Sequence, residues 1–297
     1  TANAISGASS SKVSVAGALA VGISTSSSTA SIGDNVQVSS TGAVNVLADN
    51  TSKLSAKSVA GATSSGSIGI GASVATVVAN HSLTANIGAD DTVTATDVSV
   101  QALDRKFAGL PSIPTFTLDF SKPDKLLDQV KDQAKDAAQH NGLLGNANYY
   151  AEAMGGAAAR SKAIEGSFAV MVFSDPVNAS IGKSLAAPPI TPQTTIDASG
   201  GVRIEAGNDL VAKALAGGIA LGSSNGVGIS SSVIVSSGTT NSLRAQNAEI
   251  TGSTSFSDKA HATQDINAFG ISAAGGGNNG VAGVATVITS TNSVPAL

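Results

Sequence analysis

Residues 12–33 read K-V-S-V-A-G-A-L-A-V-G-I-S-T-S-S-S-T-A-S-I-G, and the chain repeats them. A gap-free second copy, S-I-G-I-G-A-S-V-A-T-V-V-A-N-H-S-L-T-A-N-I-G, occupies 67–88. A third, A-I-E-G-S-F-A-V-M-V-F-S-D-P-V-N-A-S-I-G, ends at Gly182. Looser copies open at Asn225 with N-G-V-G-I-S-S-S-V-I-V-S-S and at Asn279 with N-G-V-A-G-V-A-T-V-I-T-S. Self-similarity at a fixed period marks a repeat architecture, because each unit needs its neighbours to bury its apolar face.

Matched positions give the period. Val13 and Ile68 are 55 residues apart, as are Ile32 and Ile87. A second motif follows each copy: A-V-N-V-L-A from Ala43, D-V-S-V-Q-A from Asp97, G-V-R-I-E-A from Gly201 and S-F-S-D-K-A from Ser255. Its anchors Val44, Val98, Val202 and Phe256 stand 54, 104 and 54 residues apart. The unit is therefore about 54 residues, with extra chain inside one interval. Four units and the opening strand of a fifth are present. A chain that starts without Met and stops in mid-repeat reads as a segment of something longer.

Within each unit the pattern is that of β-strands. Val13, Val15, Leu19, Val21 and Ile23 alternate with Ser14, Ala16, Ala18, Ala20 and Gly22, and the second copy does the same. Period two with β-branched enrichment is the strand signature. The intervening face is small rather than charged, as a strand covered on both sides requires. Turn residues punctuate the runs at Gly33-Asp34-Asn35, Asp49-Asn50, Ala89-Asp90-Asp91, Gly207-Asn208-Asp209 and Asn278-Asn279-Gly280. These features predict an all-β fold: an elongated parallel β-solenoid (β-helix) of ~54-residue repeats around Val, Ile, Leu and Ala, each repeat dividing into about three coils of about 18 residues. A meandering antiparallel sandwich is the competing arrangement.

The expected organisation is solenoid repeats over 1–103, an insertion over 104–148, and repeats again over 149–297. The insertion is chemically unlike its host. Its prolines extend L-P-S-I-P-T-F-T-L-D-F, and S-K-P-D-K-L-L-D-Q-V-K-D-Q-A-K-D-A-A-Q-H-N-G then predicts the one helix of the chain. Ser121 caps it, Pro123 suits its first turn and Gly142 its stop, while Leu126, Leu127, Val130, Ala134, Ala137 and Ala138 form one apolar stripe. Two uses are open: a cover over exposed core, or a partner-binding projection carried by Phe116, Phe120, Leu126, Leu127, Val130, Tyr149 and Tyr150. A shorter proline-rich insertion, S-L-A-A-P-P-I-T-P-Q-T, spans Ser184 to Thr194.

Composition narrows the function classes. Aromatic residues make up 3% and charged residues 12% of the 297, with 33 glycines. Such a chain cannot centre a globular core on Phe and Trp, but it can fill a narrow stacked interior. The 42% hydrophobic content and sustained alternation argue against disorder. No cysteine is present, which removes disulfides and thiolate metal sites. Net charge is −4 without a basic patch, so nothing points to nucleic acid or an anionic membrane, and no apolar run is long enough to span a bilayer.

Candidate chemistry is sparse. His81, His140 and His261 are far apart in sequence, and no catalytic, cofactor or metal role is assigned to them. Asp34, Asp49, Asp90, Asp91 and Asp209 fall at turns, where they favour turn formation; stacked, they offer a weak opening for Ca²⁺. Arginine is scarce (Arg105, Arg160, Arg203, Arg244), and spacing assembles no acidic-basic groove of the kind a pectinolytic β-helix carries.

The pattern V-S-V-A-G-A-L-A-V, then T-A-S-I-G-D, then V-N-V-L-A-D-N resembles the repeats of large bacterial surface and secreted proteins, the filamentous-haemagglutinin-like and leukotoxin-type adhesins. The resemblance covers the chain apart from its two insertions. It implies a β-solenoid stalk or fibre segment at a bacterial cell surface or in the extracellular space, with no catalytic residues to carry over. Implied partners are other copies or neighbouring repeats of the same protein, and a host or neighbouring-cell surface or glycan. The expected function is a non-enzymatic structural or adhesive segment, with a fibre-forming subunit that stacks end to end as one form. A polysaccharide-binding or polysaccharide-cleaving β-helix protein is the alternative.

Overall fold

The computed structural model describes residues 1–105, 147–182 and 193–295. The first unit contributes β1 (Ala2–Ser10), β2 (Val13–Ile32), β3 (Gln37–Ser39) and β4 (Val44–Asn50). The second contributes β5 (Leu54–Ser64), β6 (Ile68–Ile87), β7 (Thr92–Ala95) and β8 (Val98–Asp104). Then come β9 (Tyr149–Ala159), β10 (Lys162–Ser174), β11 (Val177–Ile181) and β12 (Thr194–Ala198). They are followed by β13 (Gly201–Gly222), β14 (Asn225–Arg244) and β15 (Ala248–Thr251), and finally by β16 (Ser255–Gly275) and β17 (Asn279–Ser293). The helix expected over 121–141, with Phe116, Phe120, Leu126, Leu127 and Val130, lies outside the described residues.

The fold is all-β with parallel sheets. Sheet A holds β1, β4, β5, β8, β9, β13 and β16; sheet B holds β2, β6, β10, β11, β14 and β17; sheet C holds β3, β7, β12 and β15. Among the described residues each of these pairings is parallel and joins equivalent positions of successive units, as in Val13 with Ile68, Val44 with Val98, Val98 with Val202, and Val202 with Phe256. The antiparallel arrangement is thereby excluded. Turns stack in the same register: Asn35 N donates to Ala89 O at 2.9 Å and Ser40 N to Thr94 O at 2.8 Å.

Two expectations need correction. Strands pair one whole unit apart, as the contacts at a separation of 55 residues show, and not at about 18. The reason is strand length. β2 and β6 each run 20 residues, roughly 66 Å of extended chain, so one unit is used up by one long strand in A, one in B and a short one in C. The second correction concerns which face is inside. Val15, Leu19 and Ile23 of β2 are 61%, 62% and 69% exposed, whereas Ser14, Ala16 and Ala20 are buried.

The wall spacing explains this inversion. Where sheet C separates A from B, three walls enclose a core of Leu83, Ile87, Val93, Val98, Val100, Ile181, Ile196 and Ile204. Past the C strands A and B face each other directly, and the interior shrinks to Ala56, Ala75, Ala79, Ala151, Ala153, Ala169, Ala212 and Ala214, with Tyr149, Met171 and Phe173 nearest the wide end. At the tight edge only Ala157, Ala163 and Ala220 remain. A Cβ at Gly71 would stand 2.3 Å from the Gly156 carbonyl oxygen, so no side chain fits there.

Candidate functional site

Sheet A is interrupted where β8 ends at Asp104 and β9 begins at Tyr149. Two polar groupings meet at this break, one outside the sheet and one inside.

The outer one is a cleft of about 330 Å³ lined by Gln101, Asp104, Arg105, Arg203, Glu205, Asp209 and His261, with Leu103 and Gly207. Alternation along β8, β13 and β16 points Gln101, Arg203, Glu205, Lys259 and His261 to the same side, and the ladder sets Gln101, Glu205 and Lys259 in one row. The Glu205 carboxylate is the hub. It accepts from Gln101 Nε2 at 2.7 Å and from the Arg203 guanidinium, with Lys259 Nζ at 4.0 Å and His261 Nδ1 at 3.9 Å. Glycine at 207 leaves room for the His261 ring, since a Cβ there would lie 2.6 Å from its Cε1. A cluster of acidic and basic side chains that spacing did not assemble is therefore present at this cleft. Spacing hid it because its members come from three units and meet only through the 54- and 104-residue register.

What this cleft can do chemically is limited by geometry. Glycoside hydrolysis needs two carboxyl groups about 5–9.5 Å apart. Glu205 and Asp209, four residues apart on one strand, are roughly 13 Å apart along the backbone. Glu205 Oε2 already accepts from both Gln101 and Arg203. The arrangement presents charged and polar side chains to whatever occupies the cleft.

The inner grouping is a polar stripe across the core, where the three-walled and two-walled parts join. Ladder register places Asn50, Asp104 and Asn208 in one row of sheet A. His81 lies in β6 and Asp175 in the link between β10 and β11. Tyr149 enters the same layer: its hydroxyl lies 2.7 Å from His81 Nδ1, and its ring stacks on Phe173 at 5.3 Å between centroids. Ser52 Oγ is 3.1 Å from the same nitrogen, Ser24 Oγ is 3.2 Å from Nε2, and Asn50 Nδ2 donates to Asp104 Oδ1 at 2.9 Å.

Burial sets the electrostatics here. It pushes Asp104 up to about 6 against the opposing Asn50 hydrogen bond, and Asp175 up to about 7 with help from the Asp104 charge. Burial lowers the His81 pKa, so the ring is neutral at pH 7. It raises that of the Tyr149 hydroxyl, which stays protonated.

Of the two tyrosines expected to bind a partner, Tyr149 points into the core and Tyr150 to the other face of β9, where its hydroxyl donates to Glu152; both are buried. The turn aspartates spend oxygens on backbone amides of adjacent units: Asp34 accepts from Ala89 N at 2.9 Å and Asp91 from Val36 N at 2.8 Å. Asp49 lies inside β4 and not at a turn, and it pairs with exposed Arg105 at 2.9 Å, a contact that contributes little. Sequence reasoning did not single out Asp104 or Asp175, and it read Gly207-Asn208-Asp209 as a turn, whereas these residues lie inside β13. The signal available was a polar residue at an inward position of the alternation, as in Val98, Val100, Ala102, Asp104. No protein-family model, curated protein or solved structure matches this chain.

Proposed function

We propose that the chain is a segment of a parallel β-solenoid that serves as a non-enzymatic structural or adhesive body outside a bacterial cell, able to extend by adding copies at its ends. The observation that carries this reading is the register: sheet A stacks β1, β5, β9, β13 and β16 and sheet B stacks β2, β6, β10, β14 and β17 in parallel, equivalent position over equivalent position. Ile288 of β17 stands in register with buried Ile234, so the same inward position recurs from layer to layer. Parallel stacking of equivalent positions is how repeats propagate.

The outer face of sheet B supports association with other copies too. Val15, Ile164, Phe168, Val172 and Ile229 rise from it as a continuous exposed apolar surface, a feature that marks association sites. Sedimentation of the isolated chain across a concentration series tests the reading: association that rises with concentration, filaments in micrographs and loss of both in Ile288→Lys are expected. A chain that stays monomeric at high concentration and scatters as a compact body would sink it.

A second reading rests on the Glu205 cleft, whose convergent charges suit an oligosaccharide. Binding across a glycan panel, abolished by Arg203→Ala and unaccompanied by release of reducing ends, is the expected result. Release of reducing ends would instead make the protein a glycan-cleaving enzyme.

A further inference from the structure

We propose that the interior polar stripe is a binding site for one divalent transition-metal cation, held by His81, Asp104 and Asp175 with Asn208 as a further oxygen donor. A ring nitrogen of His81 and one carboxylate oxygen each from Asp104 and Asp175 lie within 4.8 Å of one another. They come from three separate stretches of chain, and all three residues are at most 5% exposed. A tetrahedral site with ligand bonds near 2.1 Å has edges of roughly 3.4 Å, so small side-chain rotations close the cage.

A second observation points to the same ligand independently of the cluster. Asp175 Oδ1 and Asn208 Oδ1 accept no hydrogen bond, although each residue is only 2% exposed. Buried acceptors without a partner are rare. Asn208 faces the stripe because it pairs in register with Asp104, and its Nδ2 donates to the Asp175 carbonyl oxygen at 3.2 Å. A cation is the partner that requires only acceptors, and it would satisfy both oxygens together. It would also offset the mutual repulsion of the Asp104 and Asp175 carboxylates.

The donor set selects the class of ion. Imidazole nitrogen with carboxylate and amide oxygens suits Zn²⁺, Mn²⁺ or Co²⁺, whereas Ca²⁺ and Mg²⁺ prefer oxygen alone. Ser24 at Nε2 orients the His81 ring, as outer partners of metal-bound histidines do, and a cation at Nδ1 would displace the Tyr149 and Ser52 hydroxyls that lie 2.7 Å and 3.1 Å from that nitrogen.

The test uses the full chain, stripped with chelator and titrated with Zn²⁺ by calorimetry and with Co²⁺ by visible absorption. One equivalent bound, d–d bands of a nitrogen- and oxygen-ligated Co²⁺, and a rise in melting temperature are expected. Asp175→Asn removes a ligand charge with almost no change in shape, and His81→Gln removes the nitrogen donor. Each should weaken Zn²⁺ by more than the roughly 10–100-fold that changes outside the ligand shell cost. If His81→Gln does not fold, Asp175→Asn carries the test alone. Absence of binding, binding equal in wild type and Asp175→Asn, or equal affinity for Ca²⁺ and Zn²⁺ would each overturn the assignment.

Discussion

Along the single strand β6, inward positions change from Gly69, Gly71 and Ala75 at the N-terminal end to Leu83 and Ile87 at the C-terminal end. The same contrast runs through sheet B: Ala163, Ser167 and Ala169 on β10 give way to Val177 and Ile181 on β11. One end is held open by sheet C and needs volume; the other brings two backbones together and tolerates almost none. The hydrophobic effect supplies a driving force at both ends, but close packing decides which side chains may use it. Large aliphatics in the narrow region are displaced to the outer face, where solvent imposes no size limit.

Substitutions at the two ends sharpen the contrast, beginning with the narrow one. Gly71→Val would drive a side chain into the Gly156 carbonyl between hydrogen-bonded sheets that cannot separate locally. A loss above ~4 kcal/mol, or failure to fold, is expected in denaturant titration. A loss under ~1 kcal/mol would mean that the walls yield and spacing is not the constraint. At the wide end, Leu83→Ala leaves a cavity and should cost ~3 kcal/mol in the same assay.

Glu165 tests the narrow region through pH. It is buried between the sheets in space left by Gly155 and Gly218, its Oε2 accepts no hydrogen bond, and burial raises its pKa to about 7. Because the folded value exceeds the ordinary 4.5, the stability it contributes is present below about 4.5 and is lost as pH rises through about 7. Glu165→Gln should therefore gain on wild type by roughly 2 kcal/mol between pH 5 and pH 8. Parallel pH profiles for the two proteins would contradict this. The smallest effect belongs to the outer face: Leu19→Ser and Ile23→Ser should each stay within ~0.5 kcal/mol by thermal melts, and a larger loss would place these side chains inside.

Which residues carry the candidate sites was only partly legible. His81 was visible as one of three histidines, but a lone histidine on a strand says nothing about what crosses the core opposite it. Asp175 precedes Pro176 and resembles a turn residue, and Asp104 marks the edge of an insertion. Only the stacking of β6, β8, β10 and β13 makes them neighbours. Glu205 and Arg203 sit two residues apart, but Gln101 and His261 reach them through register alone.

The sequence by itself determined the unit, its strands and their register, because stacking identical positions is the one arrangement in which every copy of a 54-residue motif satisfies the same ladder. Alternation also separated two faces on each strand correctly. Only the tertiary structure decided which face is inside. Hydrophobicity alone favours Val and Leu for the interior, but toward the narrow edge, beyond Val77, Met171 and Ile234, the space between sheets A and B leaves mostly Ala, Ser and Gly at inward positions, with Glu165 the exception.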